Sequence, residues 1–432
     1  MFLPLLSNYI SSKESIVNSI NNHNSNQKKA LYWLFIIAIA SDPIVNTIQG
    51  FYLADTWEFH LSFLQIFRGI ILFLMLGIIV FKNISVVGEI GLIWSSLLLS
   101  FYALFMSIYS PFPLEGVAWS FRVLYLAVIF IAAYLLTVSG DINRETLWKL
   151  AAFVLFVYLG SQIMAWYAGY GGLSSYHTEL GSSGFGVGIS TLSWSLCGLV
   201  PCFFFHKRWR AIDIMFVILV FSSVLLTMRR SAFLALLLVV SFIGFLRVFR
   251  QRSGRVAKLI SLVFPLALLL LVLFILNGTE YGYVFMQRLE DLRPGEGTAS
   301  GRYIFQKIGL EHLLNRGLIE TIFGEGAGYA KVLLGMQLGV WIGMHSDWLD
   351  ISICYGFVGL SCFTFFFIGV FRLFARLRNA GDNRSDGILA VFLLMGFGSM
   401  ASGGILDPSF TMPYAVLGMV WANFIKGDYC ET

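Results

Sequence analysis

Long apolar runs alternate with short polar connections along nearly the whole chain. Each run holds about 20 mostly apolar residues, which is the length of a helix that crosses the hydrocarbon of a membrane. A membrane β-barrel would show short alternating strands instead, so the unbroken runs predict an all-α, polytopic membrane protein. About twelve runs fit, at 31–51, 61–81, 88–109, 115–138, 146–170, 184–205, 210–228, 231–248, 259–277, 349–374, 388–404 and 410–425.

The composition agrees with this pattern. Hydrophobic residues make up 58% of the chain and charged residues 12%, whereas charged residues make up about 25% of an ordinary soluble domain. The net charge of +5 comes from basic residues spread over many connections, so it does not predict a nucleic-acid partner.

The basic residues indicate how the runs cross the membrane. Lysine and arginine concentrate in alternate connections such as 247–258 and 372–384, and they are missing from the connections at 52–60, 110–114 and 171–183. Because short cytoplasmic connections carry the excess of positive charge, both termini are predicted to be cytoplasmic.

The longest polar segment lies between the ninth and tenth predicted helices and is therefore predicted to be external. The expected organisation is a cytoplasmic tail, nine helices, the external loop, three helices and a second cytoplasmic tail, at 1–30, 31–277, 278–348, 349–425 and 426–432. The sequence contains no zinc-protease, CxxC or phosphate-loop motif, so no metal or cofactor is predicted.

Three ionisable residues fall inside the predicted helices, in the half nearer the outside. They are Asp42, Arg68 and Arg122. Charged groups are costly in a membrane and often functional there. Two interpretations stay open: Asp42 forms a structural ion pair with one of the arginines, or the group supports an external site.

A pair of arginines, Arg229 and Arg230, occupies the short external turn between the seventh and eighth runs. Positive charge there departs from the topology pattern, which favours a bound anion. The alternative is that both side chains extend to lipid headgroups.

The external loop contains two further candidates. Arg302 follows the small residues GTASG and begins the helix-like run RYIFQKIGLEHLL. A guanidinium beside the free N–H groups of a helix start suits phosphate oxygens, although a surface arginine is the simpler alternative. His345, in GMHSDWLD, can take a proton near neutral pH. Asp347 and Asp350 are candidates to orient it or balance its charge.

Four stretches together resemble the O-antigen ligase and O-antigen polymerase superfamily in order and spacing. They are TMRRSAFLAL, SGRYIFQKIGLEHLL, IFGEGAGYA and HSDWLDISICYGFVGL. The family pattern is matched at Arg230, Arg302, Gly324, Gly326, His345, Ser346, Gly356 and Gly359. The chain departs from it where Arg229 replaces a small residue and Cys354 stands in place of a frequent glutamate.

The resemblance implies a multi-pass protein of the bacterial inner membrane with about twelve helices and one large periplasmic loop. Members of the family transfer glycans from undecaprenyl-diphosphate carriers, without metal and with inversion of the anomeric centre. It implies that His345 is the catalytic base and that Arg230, Arg302 and Arg229 bind the diphosphate.

The implied partners are a lipid-linked oligosaccharide donor, a glycan acceptor and membrane lipids, with a chain-length regulator protein as a further candidate. The HSDWLD variant and the unusual loop after the fifth run favour a polymerase over a ligase. A flippase or transporter is less favoured, since such proteins place buried charges at mid-membrane, whereas here the polar residues lie in the outer half and in one loop.

Overall fold

The computed structural model describes residues 25–52, 63–87, 91–167, 189–205, 210–227, 229–250, 302–401, 403–404, 406 and 410–426. In these residues all regular secondary structure is helical, as the apolar runs predict, and no strand occurs among them.

Eight helices precede the external loop. They are α1 (Ser25–Tyr52), α2 (Phe63–Val87), α3 (Gly91–Met106, extended by a 3-10 turn at Ser107–Tyr109), α4 (Pro113–Val138), α5 (Arg144–Tyr167), α6 (Ile189–Phe203), α7 (Ala211–Leu226) and α8 (Arg230–Arg250), counted in the described part of the chain.

The described part of the external loop forms three helices, and three longer helices follow it. The loop helices are α9 (Arg302–Asn315), α10 (Leu318–Phe323) and α11 (Tyr329–Leu338), and the following ones are α12 (Asp347–Asn379), α13 (Arg384–Ala401) and α14 (Thr411–Lys426).

The chain is a membrane-integral protein. Among the described residues, five helices are long and apolar enough to cross a membrane, and further apolar helices are shorter. Every predicted run overlaps a described helix except 259–277, which lies outside the described residues. The count of twelve spans and the sidedness of the loop remain predictions.

Helix α4 forms the centre of the bundle, with 83% of its most apolar stretch buried. Against α3 it makes a reciprocal contact in which Ser100 donates to the Ser120 carbonyl over 2.9 Å and Ser120 donates to the Ser100 carbonyl over 2.7 Å. Small residues of this kind allow helices to approach closely, which is the main source of helix association where lipid removes the hydrophobic driving force.

A buried ion pair fixes α8 against α13 at the end predicted to be cytoplasmic. The Arg247 Nε donates to Asp386 Oδ2 over 2.6 Å, and the same guanidinium also binds the Phe204 carbonyl beyond α6. Arg247 is 9% exposed and Asp386 is 1% exposed. Loss of one partner would leave a buried charge, which typically costs about 3–5 kcal/mol.

This pair also sets the level of the opposite helix ends. The predicted topology has α8 and α13 cross the membrane in opposite directions, and each helix rises about 1.5 Å per residue. The backbone of Arg230 and that of Ala401 both lie roughly 22–25 Å from the ion pair. The start of α8 and the end of α13 are therefore expected at the same level, on the side predicted to be external.

Helix α12 is broken near its external end. Gly356 has φ 60° and ψ −159°, and a break leaves the carbonyls of the preceding turn without partners inside the helix. The loop before α12 provides donors for these carbonyls.

Arg316 donates to the Ser352 carbonyl over 2.9 Å. The Glu325 amide donates to the Ile353 carbonyl over 3.1 Å, and the Gly326 amide donates to the Cys354 carbonyl over 2.9 Å. The loop is thereby attached to the membrane helices.

Candidate active site

The candidate site lies where three parts of the chain meet at the end of the bundle predicted to be external. They are the start of α9, the turn that precedes α12, and residues 401–404, which follow α13 and are called here the 401–404 turn. Residue 402 of this turn lies outside the described residues.

Arg302 is the first residue of α9, as the helix-like pattern after GTASG predicts. Its Nη1 donates to the Ala401 carbonyl over 2.8 Å, and the side chain is half-buried. A guanidinium has five N–H donors, and the described contacts engage one nitrogen. The rest of the fork stays available beside the N–H groups of the helix start, an arrangement that favours an anion.

His345 has a strained backbone. Its φ is 56°, and among the described residues it is the one non-glycine with a positive φ. Such a conformation is uncommon outside glycine and persists where the surroundings hold it. Here the Met344 amide donates to Asp350 Oδ1 over 3.0 Å, and the Asp350 amide donates to the Ser346 carbonyl over 2.9 Å.

Met344 holds the other side of this turn. Its side chain is fully buried, and its sulfur would lie 3.2 Å from a Cβ placed on Gly309 of α9. The residue before His345 is thus fixed between α9 and α12, which limits where the imidazole can lie.

Phe305 connects Arg302 with His345. Its ring centroid lies 6.2 Å from that of His345, with the planes at 32°. Residues three apart on a helix share a face, so Arg302 and Phe305 face the same way from α9. The structure therefore brings the predicted arginine and histidine into one neighbourhood.

Asp347 ties α12 to the 401–404 turn. Its Oδ1 accepts the Gly404 amide over 2.6 Å, and a Cβ placed on Gly403 would lie 3.5 Å from the His345 carbonyl carbon. The neighbouring Trp348 Nε1 donates to Ser399 Oγ over 2.9 Å. Asp350 thus binds the amide of the residue before His345, and Asp347 binds an amide of the 401–404 turn. Their predicted effect on its charge remains a prediction.

The double arginine lies at the start of α8. The Arg229 carbonyl accepts the Phe233 amide over 3.0 Å and so begins the helix, and the Arg229 side chain is half-buried. The Arg230 backbone opens α8, but its side chain lies outside what the structure describes. The predicted topology puts both backbones at the level of the 401–404 turn. Binding of an anion by either guanidinium remains a prediction.

Two of the ionisable residues within the helices form an ion pair with each other. Arg68 Nε donates to Asp42 Oδ1 over 2.8 Å, which is the structural pairing that the sequence left open. Asp42 also lines a cavity of about 10 Å³ with Ser195 and Thr411, close to the size of one water. Arg122 is half-buried on α4. A supporting role for these residues remains a prediction.

A polar cluster on the loop was not apparent in the sequence. His312 Nε2 and Glu325 Oε2 lie 2.7 Å apart. Burial, together with the neighbouring Glu325, raises the pKa of Tyr329, and burial lowers the pKa of Arg316. Lys331 Nζ lies 2.6 Å from Glu115 Oε1 and joins α11 to α4. The cluster holds the three loop helices together and onto the bundle.

The glycine pair of the loop packs on backbone. Gly324 and Gly326 have φ of 85° and 91°. A Cβ on Gly324 would lie 2.5 Å from backbone atoms of Cys354, Tyr355 and Gly356, and one on Gly326 would lie 2.7 Å from the Ser110 Cα. The Gly-x-Gly step thus permits contact between the loop, the break in α12 and the turn after α3.

Within the described residues, no group of three or more histidine, cysteine, aspartate or glutamate side chains has a metal-binding arrangement.

Comparison with known families gives a match over part of the chain. Residues 214–364 match the O-antigen ligase family, and this match confirms, over that part of the chain, the predicted resemblance to the O-antigen ligase and polymerase superfamily. The matched stretch includes Arg229, Arg230, Arg302, His345, Asp347 and Asp350, whereas Asp42, Arg68, Arg122 and the 401–404 turn lie outside it. Comparison with curated proteins found no match.

The glycine packing predicts unequal effects of two glycine-to-alanine changes. Gly339 has φ 69° but nothing within 4 Å of a Cβ, so Gly339→Ala should cost only the left-handed backbone penalty, about 1–2 kcal/mol. Gly326→Ala adds a clash with backbone, about 1–3 kcal/mol more. Thermal unfolding of the purified protein should show a clearly lower Tm for Gly326→Ala. Equal Tm values would show that the loop does not press against Ser110.

Proposed function

We propose that this membrane protein is a surface-polysaccharide polymerase of the O-antigen type. It transfers glycan from an undecaprenyl-diphosphate donor to a lipid-linked acceptor repeat unit. The proposed location is the bacterial inner membrane, with both termini in the cytoplasm and the reaction at the periplasmic face. The superfamily match supports glycosyl transfer as the reaction type.

The observation that carries the proposal is the joint placement of Arg302 and His345. Arg302 binds the 401–404 turn through Ala401, and His345 lies against Phe305 and the same turn. An anion-binding group and a proton acceptor are the two groups that glycosyl transfer from a diphosphate requires.

In the proposed reaction, the acceptor hydroxyl oxygen attacks the anomeric carbon of the donor sugar from the face opposite the diphosphate. The bond between that carbon and the diphosphate oxygen breaks, and the electron pair leaves with the undecaprenyl diphosphate. His345 takes the proton of the attacking hydroxyl, so the new glycosidic bond forms with inversion and without a metal ion.

Arg302 would bind the diphosphate and stabilise the negative charge that grows on it as the bond breaks. Preorganised donors are effective in this role because they need no reorientation during the reaction. The hydrogen bond to Ala401 already fixes one edge of the guanidinium. Arg230 and Arg229, at the same external level, would extend this anion site.

A ligase that transfers the glycan to the lipid A core is the second candidate, since the matched family is described as O-antigen ligase. Both enzymes would use the same donor and the same residues and would differ in the acceptor. A flippase or transporter is a lesser alternative.

Deletion of the gene distinguishes the two enzymes. A strain that lacks a polymerase should keep lipopolysaccharide with one repeat unit attached to the core. A strain that lacks a ligase should carry cores without any repeat unit and accumulate lipid-linked glycan. We expect the first profile on a gel of extracted lipopolysaccharide, and the second would reassign the protein as a ligase.

We predict that His345→Asn reduces transfer by on the order of 10²–10⁴-fold, the usual contribution of a general base. Asparagine tolerates the left-handed backbone, so the change tests the chemistry and not the fold. The assay is turnover of lipid-linked substrate by the purified protein in liposomes, with thermal unfolding as a check of folding.

The matched control is His312→Asn, because His312 lies on the same loop but pairs with Glu325. This variant should keep most of its activity, because the Lys331–Glu115 pair and the amides of Glu325 and Gly326 still hold the loop against the bundle. If His345→Asn turns over substrate at the rate of the His312 control, His345 is not the base.

We predict that Arg302→Lys lowers turnover by about 10²-fold, since a lysine point charge does not replace the planar fork of donors. Arg384→Lys, the same change beside Asp382 at the predicted cytoplasmic end, serves as the control and should leave turnover nearly unchanged. Equal turnover of the two variants would remove the diphosphate role from Arg302.

A further inference from the structure

Helix α10 has the reverse of the polarity expected on a water-exposed loop. Leu318 is 75% exposed and Ile319 is 71% exposed, and Ile322 and Phe323 are exposed as well. The two polar residues of the helix, Glu320 and Thr321, are half-buried instead. Apolar residues pointing outward indicate an apolar surrounding.

One contact places α10 below the external ends of the membrane helices. The Tyr102 hydroxyl donates to the Phe323 carbonyl over 2.6 Å. Tyr102 belongs to the candidate span Leu92–Tyr109 and lies about 10 Å, at 1.5 Å per residue, from its external end.

A second contact gives a similar depth. Gly324, the residue after α10, packs on Cys354–Gly356 of α12. Helix α12 has 33 residues, or about 50 Å, against about 30 Å of hydrocarbon. The arginines that begin at Arg372 mark its cytoplasmic end, so the roughly 20 residues in hydrocarbon begin near Ile351. Gly356 therefore lies just inside the outer boundary of the hydrocarbon.

The exposed residues of α10 continue a surface that faces lipid. Phe101 and Phe105 of α3 and Phe357 of α12 are each more than half exposed, and they belong to candidate spans on either side of the Tyr102 and Gly324 contacts.

We propose that Leu318, Ile319, Ile322 and Phe323 form an interfacial segment that lies in the outer leaflet, with the acyl chains of membrane lipids as its occupant. Short apolar elements of this kind lie in the plane of the interface and bind by buried apolar area. The segment holds the glycine pair, and through Arg316 the end of α9, at a fixed depth. The proposal depends on the membrane-integral fold and not on the proposed reaction.

The test places a nitroxide spin label at Ile319→Cys, with Glu311→Cys of α9 as the matched control. The Glu311 side chain is 60% exposed and is charged, so its replacement reports a water-facing position. The background carries Cys362→Ala and Cys430→Ser, whereas Cys197, Cys202 and Cys354 are buried.

In liposomes, oxygen concentrates in hydrocarbon and a neutral nickel chelate stays in water. The ratio of oxygen to nickel collision rates should exceed one at 319 and fall below one at 311. A ratio below one at both positions would overturn the proposal.

A second measurement does not require replaced cysteines. The photoreactive residue p-benzoylphenylalanine is placed at 319 or at 311 in the full chain in liposomes and then illuminated. The 319 variant should gain the mass of a phospholipid and the 311 variant should not. Crosslinking of 319 to a second copy of the chain, or the same lipid yield at both positions, would overturn the proposal.

Discussion

The break in α12 at Gly356 determines how the external loop is held. In the membrane no water is available to satisfy the carbonyls that a helix break leaves without partners. Arg316 and the amides of Glu325 and Gly326 satisfy them instead. Because these donors come from the loop, the loop cannot move away from α12 without leaving polar groups unpaired, and α9 with Arg302 is held at the same place.

Hydrogen bonds to backbone amides also stabilise the strained conformation of His345. Asp350 binds the Met344 amide and Asp347 binds the Gly404 amide, so both carboxylates define the path of the chain around the imidazole. A group fixed before substrate arrives loses little freedom in the reaction, which is the advantage of preorganisation. The acidic residues after His345 thus help to fix the position of the backbone that carries the imidazole.

The sequence predicted the features that depend on local pattern. The apolar runs, the helix that begins at Arg302 and the Gly-x-Gly step were all visible, since each follows from hydrophobicity or from residue type at close spacing. The contacts of Arg302 with Ala401 and of Asp347 with Gly404 were not, because they join positions far apart in the chain. The break at Gly356 was also hidden, because one glycine in an apolar run is compatible with an unbroken helix.

The two ends of the bundle have different electrostatic roles. At the predicted cytoplasmic end, Arg247 and Asp386 neutralise each other while buried, and in the predicted topology this pair sets the level at which α8 begins and α13 ends on the opposite side. At the external end, Arg302 is bound only to a carbonyl in the described contacts, so its positive charge is not balanced there by a bonded carboxylate. A balanced charge stabilises the fold, whereas an unbalanced one attracts an anion. In the predicted topology, the register fixed at the inner end brings the start of α8, with its two arginines, to the level of the 401–404 turn, where the proposed anion site lies.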